Sequence, residues 1–253
     1  MSKTLIVTGM HRSGTSLVTH YLAECGLSIG NQLLPADIGN PLGYFEDTDF
    51  LDLHRDILKK NKISTFPSKK VNFPIQLDVE DRQRALEIVG SKRNFSQWGF
   101  KDPRTTLMLD FWLEIIESPS FLFLVRHPLT VSDSLVRRGT DRNIVNNPTI
   151  ALKAWKIYNE EILKFATLNP EISLVINIDD FIKSPQKYVQ LISEKFQFDL
   201  CFKSFNRVFS EQHFNVKPPS YRLVLKNRLN PLYLFFCVQL YDKIKMITQK
   251  AIL

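Results

Sequence analysis

The chain has 253 residues, of which 44% are hydrophobic and 23% charged, and its 33 basic and 26 acidic side chains give a formal net charge of +7. This composition is typical of one sizeable globular domain and excludes disordered, fibrous and membrane-embedded classes. The basic balance suits a polyanionic ligand. The sequence has no zinc-ligand spacing, no basic helix and no aromatic-rich RNA motif, so we expect no nucleic-acid partner.

Cysteine usage and the N-terminus indicate a compartment. Cys25, Cys201 and Cys237 form neither a metal-binding spacing nor a disulfide framework, which fits a reducing environment. The N-terminus leads at once into a short apolar run and shows no signal-peptide pattern. We therefore expect a cytoplasmic protein.

The first predicted elements are a buried strand at residues 4–8, a loop at residues 9–16 with the sequence GMHRSGTS, and a helix that follows it. This order is the architecture of a phosphate-binding loop, because glycines let backbone amides point into one concavity and the helix N-terminus adds donors. Thr15 stands where a P-loop nucleotide triphosphatase keeps its lysine, whereas Arg12 offers a forked cation from another place. The residues predicted to bind the anion are Arg12, Ser13, Gly14, Thr15 and Ser16.

The loop resembles the 5′-phosphosulfate loop of the sulfotransferase family. More narrowly, it is similar to the arginine-bearing version in carbohydrate and tyrosylprotein sulfotransferases and their bacterial relatives. The resemblance covers residues 4–196 and implies 3′-phosphoadenosine-5′-phosphosulfate (PAPS) as the donor, a hydroxyl acceptor and no required metal. Arg12 would then also act on the transferred group.

Residues 40–47, with the sequence NPLGYFED, resemble a segment that follows this loop in bacterial sulfotransferases. In related enzymes a glutamate from this region is the proposed base that takes the acceptor proton. The resemblance makes Glu46 the candidate base and Asp47 the alternative, whereas the residues alone favour a carboxylate that opens a helix. The polar, proline-containing residues 59–77 predict an irregular loop that covers the acceptor site.

Residues 98–105, with the sequence WGFKDPRT, predict a strand that ends in a turn. Lys101 lies at the carboxyl end of this strand, where ligands of open α/β sheets bind. The segment resembles the Lys-Asp-Pro segment of tyrosylprotein and bacterial sulfotransferases, which implies that Lys101 stabilises charge on the transferred group. We expect an orienting or structural role for Asp102, such as an ion pair with Arg104.

A second signature follows the apolar run at residues 121–125, which is typical of a central parallel strand. Arg126 ends the strand, and Ser134 comes eight residues later on a predicted helix. This spacing resembles the 3′-phosphate motif of the family, in which the arginine and the serine bind one phosphate. A nucleoside triphosphate has no 3′-phosphate, so the pair favours PAPS over ATP.

The remaining elements predict a helix at residues 148–167, a strand at 173–178 and a helix at 185–196. The alternation predicts an α/β, P-loop-type three-layer fold with a central, mainly parallel sheet flanked by helices. We expect one sulfotransferase-like domain at residues 1–200 and a C-terminal helical extension at 201–253. An amphipathic helix from residue 231 is too short and too charged to span a bilayer, and it docks on the domain, on a partner or on a membrane surface.

The sequence thus predicts an enzyme that moves the sulfuryl group of PAPS to a hydroxyl, which the arginine-bearing loop suggests is that of a glycan or glycolipid. Two alternatives stay open. One is a P-loop kinase of a small molecule, which the absent loop lysine weakens, and the other is a catalytically idle nucleotide-binding protein.

Overall fold

The computed structural model describes residues 2–30, 32–36, 43–209, 224 and 229–250. Residues 40–42 of the predicted base segment lie outside the described residues, and so do residues 210–223 of the predicted C-terminal extension.

The described chain contains a parallel sheet of four strands in the order β2-β1-β3-β4. The strands are β1 (Lys3–Thr8), β2 (Gln97–Lys101), β3 (Pro119–Val125) and β4 (Ser173–Asn177). Ile6 of β1 is in register with Phe100 on one side and with Phe121 on the other. The predicted parallel sheet is confirmed.

Helices connect and flank these strands. They are α1 (Thr15–Glu24), α2 (Thr48–Lys60), α3 (Val79–Gly90), α4 (Leu109–Ile115), α5 (Pro128–Arg138), α6 (Arg142–Asn146), α7 (Thr149–Leu168), α8 (Ile178–Lys183), α9 (Pro185–Phe196) and a C-terminal helix (Pro231–Lys250), with a 3₁₀ turn at Pro103–Leu107. Local chemistry explains several starts: Asp78 and Asp81 form a capping box at α3, and Pro128 opens α5 behind His127.

The two faces of the sheet bury different cores, because successive residues of a strand point to opposite sides. On β3, Leu122 and Leu124 pack with residues of α1, α8 and α9. Phe121 and Phe123 on the same strand join a larger core built from α2, α4, α5, α7 and the C-terminal helix. The result is a three-layer α/β fold, as the sequence predicts.

The carboxyl ends of the strands define where a ligand binds. The chain leaves β1 and returns first to β2 on one side and later to β3 on the other. A crevice therefore opens beyond the end of β1, at the point where the strand order reverses. The loop at residues 9–16, Lys101 at the end of β2 and Arg126 after β3 all lie at this edge.

The C-terminal helix packs against α7, β4 and α5. Cys237 and Ile244 are buried on its inner face, and Tyr241 contacts Asn177 at the end of β4. Leu232 and Phe235 are exposed on its outer face. Across the described residues, no helix combines the length and apolar character needed to cross a bilayer.

Candidate active site

The loop between β1 and α1 has a backbone that only its glycines allow. Gly9 and Gly14 have φ angles of 141° and 89°. A Cβ at Gly9 would lie 2.2 Å from the carbonyl oxygen of Leu124, and one at Gly14 would lie 2.4 Å from a side-chain carbon of Ile178. Arg12 also has a positive φ, 69°. The loop is therefore pressed against the neighbouring strand β3 and the start of α8, with its backbone in left-handed geometry.

Hydrogen-bond donors are available at this loop. The N-cap of α1 is Gly14, and no side chain caps the helix. The Oγ atom of Ser13 is buried and has no hydrogen-bond partner among the described residues. Helix N-terminal amides and an unpaired hydroxyl beside them form a cradle that suits an anion. The predicted anion-binding loop thus has donors in place.

A buried ion pair lies next to the loop. The Nζ atom of Lys101 is 2.8 Å from Oε1 of Glu46 and 3.2 Å from Oγ of Ser16. Lys101 and Glu46 are only 2% and 5% exposed. Three residues that the sequence singles out, from the end of β2, the approach to α2 and the start of α1, therefore meet at one point.

A second layer of polar side chains supports this pair. The guanidinium of Arg104 donates to Oδ1 of Asp102 at 2.8 Å and lies 3.8 Å from Oε2 of Glu46. Oδ2 of Asp102 is 2.9 Å from Nδ1 of His54, whose Nε2 accepts from the indole of Trp112. The bond from Trp112 fixes the tautomer with the proton on Nδ1. The expected Asp102–Arg104 pair is present, and its partner His54 was not anticipated.

Burial opposes the charged form of Asp102, but Arg104 and His54 together hold the pKa of this carboxyl well below its usual range. The carboxylate is therefore charged at neutral pH and fixes the position of Arg104. Arg104 in turn gives Glu46 a second cationic neighbour besides Lys101.

Three other predicted residues meet on the opposite side of the loop. The Nε atom of Arg12 donates to Oγ of Ser134 at 2.9 Å, and Arg126 lies 3.5 Å from the carbonyl oxygen of Arg12. Burial lowers the pKa of Arg126 to about 10; Asp179 opposes this shift and Arg12 adds to it. The sequence placed Arg12 with the 5′-phosphosulfate, whereas its side chain contacts the serine that was predicted for the 3′-phosphate. Two cations beside one hydroxyl favour a bound anion here.

A cavity of about 620 Å³ opens in front of the loop. Five residues that the sequence selected line it: Arg12, Thr15, Ser16, Glu46 and Lys101. Further lining comes from the irregular segment before α3, at Ser64, Thr65 and Phe66, as predicted for a loop that covers the site. Arg126 and Ser134 are not in the described lining and lie on the Arg12 side of the loop.

The alternative base, Asp47, is engaged elsewhere. Its carboxylate caps α2 by accepting from the amide of Asp49 at 3.1 Å, and it pairs with the buried Lys92 at 2.9 Å. It lies so close to Gly30 that a Cβ there would be 2.1 Å from Oδ2. Asp47 is not among the described residues that line the cavity, whereas Glu46 is.

Sequence reasoning gave no binding or catalytic role to several charged or titratable residues of the lining, among them His11, Arg104 and Arg138. His11 adjoins Arg12 in the loop, but its burial and orientation are tertiary features. Arg138 lies one helical turn after Ser134 on α5, so the i, i+4 spacing from a selected residue was the available signal. Within the described residues no group of three or more His, Cys, Asp or Glu side chains is arranged to hold a metal ion.

Comparisons with known proteins identify the family and the fold. A family model described as the sulfotransferase family matches residues 4–203. No curated protein matches the chain.

Solved structures show the same fold. The sulfotransferase domain from the olefin synthase of Synechococcus PCC 7002 aligns with a TM-score of 0.57 and 19% identity over 96% of this chain and 94% of that one. A sulfotransferase domain from the curacin biosynthetic pathway aligns with a TM-score of 0.51 and 15% identity over 91% of this chain and 99% of that one. The sulfotransferase STF1 from Mycobacterium tuberculosis aligns with a TM-score of 0.51 and 13% identity over 95% of this chain and 76% of that one.

The family model spans most of the chain, from β1 to the residues beyond α9, and includes every residue of the cavity described above. The chain belongs to the sulfotransferase family.

Proposed function

We propose that the protein transfers the sulfuryl group of PAPS to the hydroxyl of a glycan or glycolipid. The observation that carries the proposal is the meeting of Lys101, Glu46 and Ser16 at the loop, beside a second cluster of Arg12, Arg126 and Ser134 of which only Arg12 also lines the cavity. A donor with two separated anionic groups fits two such sites, whereas ATP has no 3′-phosphate to occupy the second.

The loop residues fit a phosphosulfate. Ser13 has a buried hydroxyl without a described partner, and the N-terminus of α1 has no side-chain cap. Gly9 and Gly14 allow the loop to keep its concave shape, because a Cβ at either position would clash with Leu124 or Ile178. When bound, PAPS supplies an activated sulfuryl group. The amides of residues 12–16 would bind its 5′ end, and Arg126, Ser134 and Arg12 its 3′-phosphate.

The proposed chemistry is an in-line displacement. The acceptor oxygen forms a bond to sulfur while the bond from sulfur to the 5′-phosphate oxygen breaks, and Glu46 takes the acceptor proton. Lys101 stabilises the negative charge that moves to the leaving oxygen. Because Lys101 bonds to both Glu46 and Ser16, it links the base to the loop. Arg104 and Asp102 orient the base from behind.

The acceptor class is inferred from the loop. Its arginine-bearing sequence is similar to that of carbohydrate and tyrosylprotein sulfotransferases, and the cavity lining is largely polar, with Ser64, Thr65 and Thr140 beside several arginines. Hydroxyls and guanidinium groups of this kind pair with the hydroxyls of a sugar. The family match favours sulfuryl transfer over the kinase alternative.

The test is calorimetric titration with 3′-phosphoadenosine-5′-phosphate and, separately, with ATP and magnesium. We expect the bisphosphate to bind without metal and Arg126→Ala to weaken it at least about tenfold, because a charged hydrogen bond is lost. Arg137→Ala is the matched control, since Arg137 pairs with Asp133 and is half exposed. A preference for magnesium ATP would contradict the proposal, and bisphosphate binding with no turnover of any acceptor would favour an idle nucleotide-binding protein.

A further inference from the structure

The cavity in front of the loop carries more positive charge than its own carboxylates balance. Its cationic lining residues are Arg12, Arg55, Lys101, Arg104 and Arg138, and its carboxylates are Glu46 and Asp141. Lys101 pairs with Glu46, Arg104 pairs with Asp102 behind the wall, and Arg55 pairs with the exposed Asp52. Arg12 donates to Ser134 in the second cluster, which leaves Arg138 as the lining cation that needs explanation.

Arg138 ends α5 and lies half-buried at the cavity wall. Its Nη2 atom donates to the hydroxyl of Tyr44, and its guanidinium lies 5.3 Å from the centroid of that ring. Its Nε atom is buried and has no hydrogen-bond partner among the described residues, and no carboxylate there forms an ion pair with it. A partly desolvated guanidinium with spare donors is a binding group for an anion.

The same wall holds a second polar group without a partner. His11 is 9% exposed, packs against Phe66 and Tyr158 with ring centroids 5.0 and 6.2 Å away, and lines the cavity. Its Nε2 atom has no hydrogen-bond partner in the described residues. Burial, followed by the positive charge of Arg104, holds the pKa of His11 well below its usual range. The ring is therefore neutral at pH 7 and suits a neutral partner such as a hydroxyl.

Arg138 lies on the side of the cavity that holds Glu46. Both residues line the cavity, as does Arg12 of the donor cluster, whereas Arg126 and Ser134 are not among its described lining residues. Tyr44, which holds Arg138, precedes Glu46 by two residues and accepts a hydrogen bond from Ser16 on its carbonyl oxygen. The acceptor, which gives its proton to Glu46 in the proposed function, would therefore bind in the part of the cavity around Arg138.

We propose that the acceptor is an anionic sugar, whose carboxylate or ester sulfate binds Arg138 and one of whose hydroxyls bonds to His11. This inference rests on the proposed function and deepens it by naming the acceptor class. Arg138 is then a specificity-determining residue. When a neutral sugar binds, the donors of Arg138 stay unpaired, and this cost in binding free energy favours the charged acceptor.

The experiment titrates protein saturated with 3′-phosphoadenosine-5′-phosphate with two pairs of probes: methyl β-D-glucuronide against methyl β-D-glucoside, and glucose 6-sulfate against glucose. We expect the charged member of at least one pair to bind at least about tenfold more tightly. Arg138→Gln should abolish this preference. Arg137→Gln is the matched control on the same helix and should keep it, because Arg137 pairs with Asp133 and is not among the described residues of the wall.

Equal binding, or no binding, of the charged and neutral members of both pairs would overturn the inference. So would a loss of bisphosphate affinity in Arg138→Gln as large as in Arg126→Ala, because Arg138 would then belong to the donor site. Failure of the proposed function is distinguishable, since it is the failure of the unaltered protein to bind the bisphosphate. The probe pairs are in that case titrated without nucleotide, and the same outcomes decide the inference.

Discussion

At the scale of single residues, the buried ion pair of Lys101 and Glu46 links the stability of the fold to the candidate active site. Both side chains are almost completely buried and 2.8 Å apart. Removing both charges from water is costly, and the attraction between them offsets that cost only while both are present. In the proposed mechanism these two residues are the cation and the base, so the ion pair would hold both groups in a mutually neutral form until substrates bind.

This arrangement predicts a non-additive effect on stability. Lys101→Met should lower the free energy of unfolding by about 3–5 kcal/mol, because it leaves the Glu46 carboxylate buried without its main partner. Adding Glu46→Gln should restore at least half of the loss, since the second change removes the orphaned charge. Urea denaturation of the single and double variants measures both values. Additive losses in the double variant would show that the two residues do not interact.

The sequence predicts the identity of many site residues but not how they pair. Lys101 and Ser16 follow from local patterns and Glu46 from the family resemblance, yet their contact depends on how α2 packs beside the end of β2. His11 was not selected because its burial and its unpaired ring nitrogen are tertiary features, and for Arg138 the helical spacing from Ser134 did not by itself distinguish a lining residue from a solvent-facing one. The contact of Arg12 with Ser134 is likewise a product of the left-handed backbone at Arg12.

At the scale of elements, the turn from β1 into α1 has little tolerance for change. A side chain at Gly9 would strike the backbone of Leu124, which cannot move without disturbing β3 in the centre of the sheet. The site loop and the sheet core therefore constrain each other directly. Gly90, at the end of α3, has nothing within 4 Å of an added Cβ and provides a comparison.

Gly9→Ala should lower the free energy of unfolding by more than about 2 kcal/mol, through a positive φ of 141° and a backbone clash. It should also abolish bisphosphate binding. Gly90→Ala should instead raise stability by about 0.5 kcal/mol, because alanine loses less conformational entropy in a helix. Chemical denaturation and calorimetry measure these effects. Equal stability of the Gly9 variant and the parent would disprove the tight contact with β3.

Most elements follow from the sequence, and the exceptions have a physical explanation. The apolar runs before residues 9, 126 and 178 predict β1, β3 and β4 because a central parallel strand is buried on both faces. The helices α6 and α8, with five and six residues, were not predicted. They are too short to show a helical period, and caps from Asp141 and Asn177 start them.

At the scale of the whole molecule, buried neutral histidines make stability depend on pH. His127 accepts a hydrogen bond from the amide of Leu129 and caps α5, and its ring faces Tyr241, Asp242 and Lys245 of the C-terminal helix. Burial lowers its pKa from 6.5 to about 4. The unfolded chain binds a proton below pH 6.5 that the folded chain does not, so this contribution to stability is lost as the pH falls from 6.5 towards 4.

We therefore expect the free energy of unfolding to fall more steeply with decreasing pH in the parent protein than in His127→Gln. Urea denaturation at pH 7.5, 6.5, 5.5 and 5.0 gives the two slopes. The pH 7.5 values serve as the control, because the histidine is neutral there in both the folded and the unfolded chain. Identical slopes would mean that His127 is accessible to protons in the folded protein.

The central position of β1 also governs how the chain reaches its fold. Thr4 pairs with Trp98 on one side and with Pro119 on the other, so β1 is synthesised well before either of its partner strands. Such separation raises the relative contact order, and the closure of long loops precedes any gain from strand pairing. Synthesis at about 5–20 residues per second leaves an apolar segment without neighbours for several seconds. Nascent-chain chaperones that recognise short apolar segments therefore have their window of action at β1.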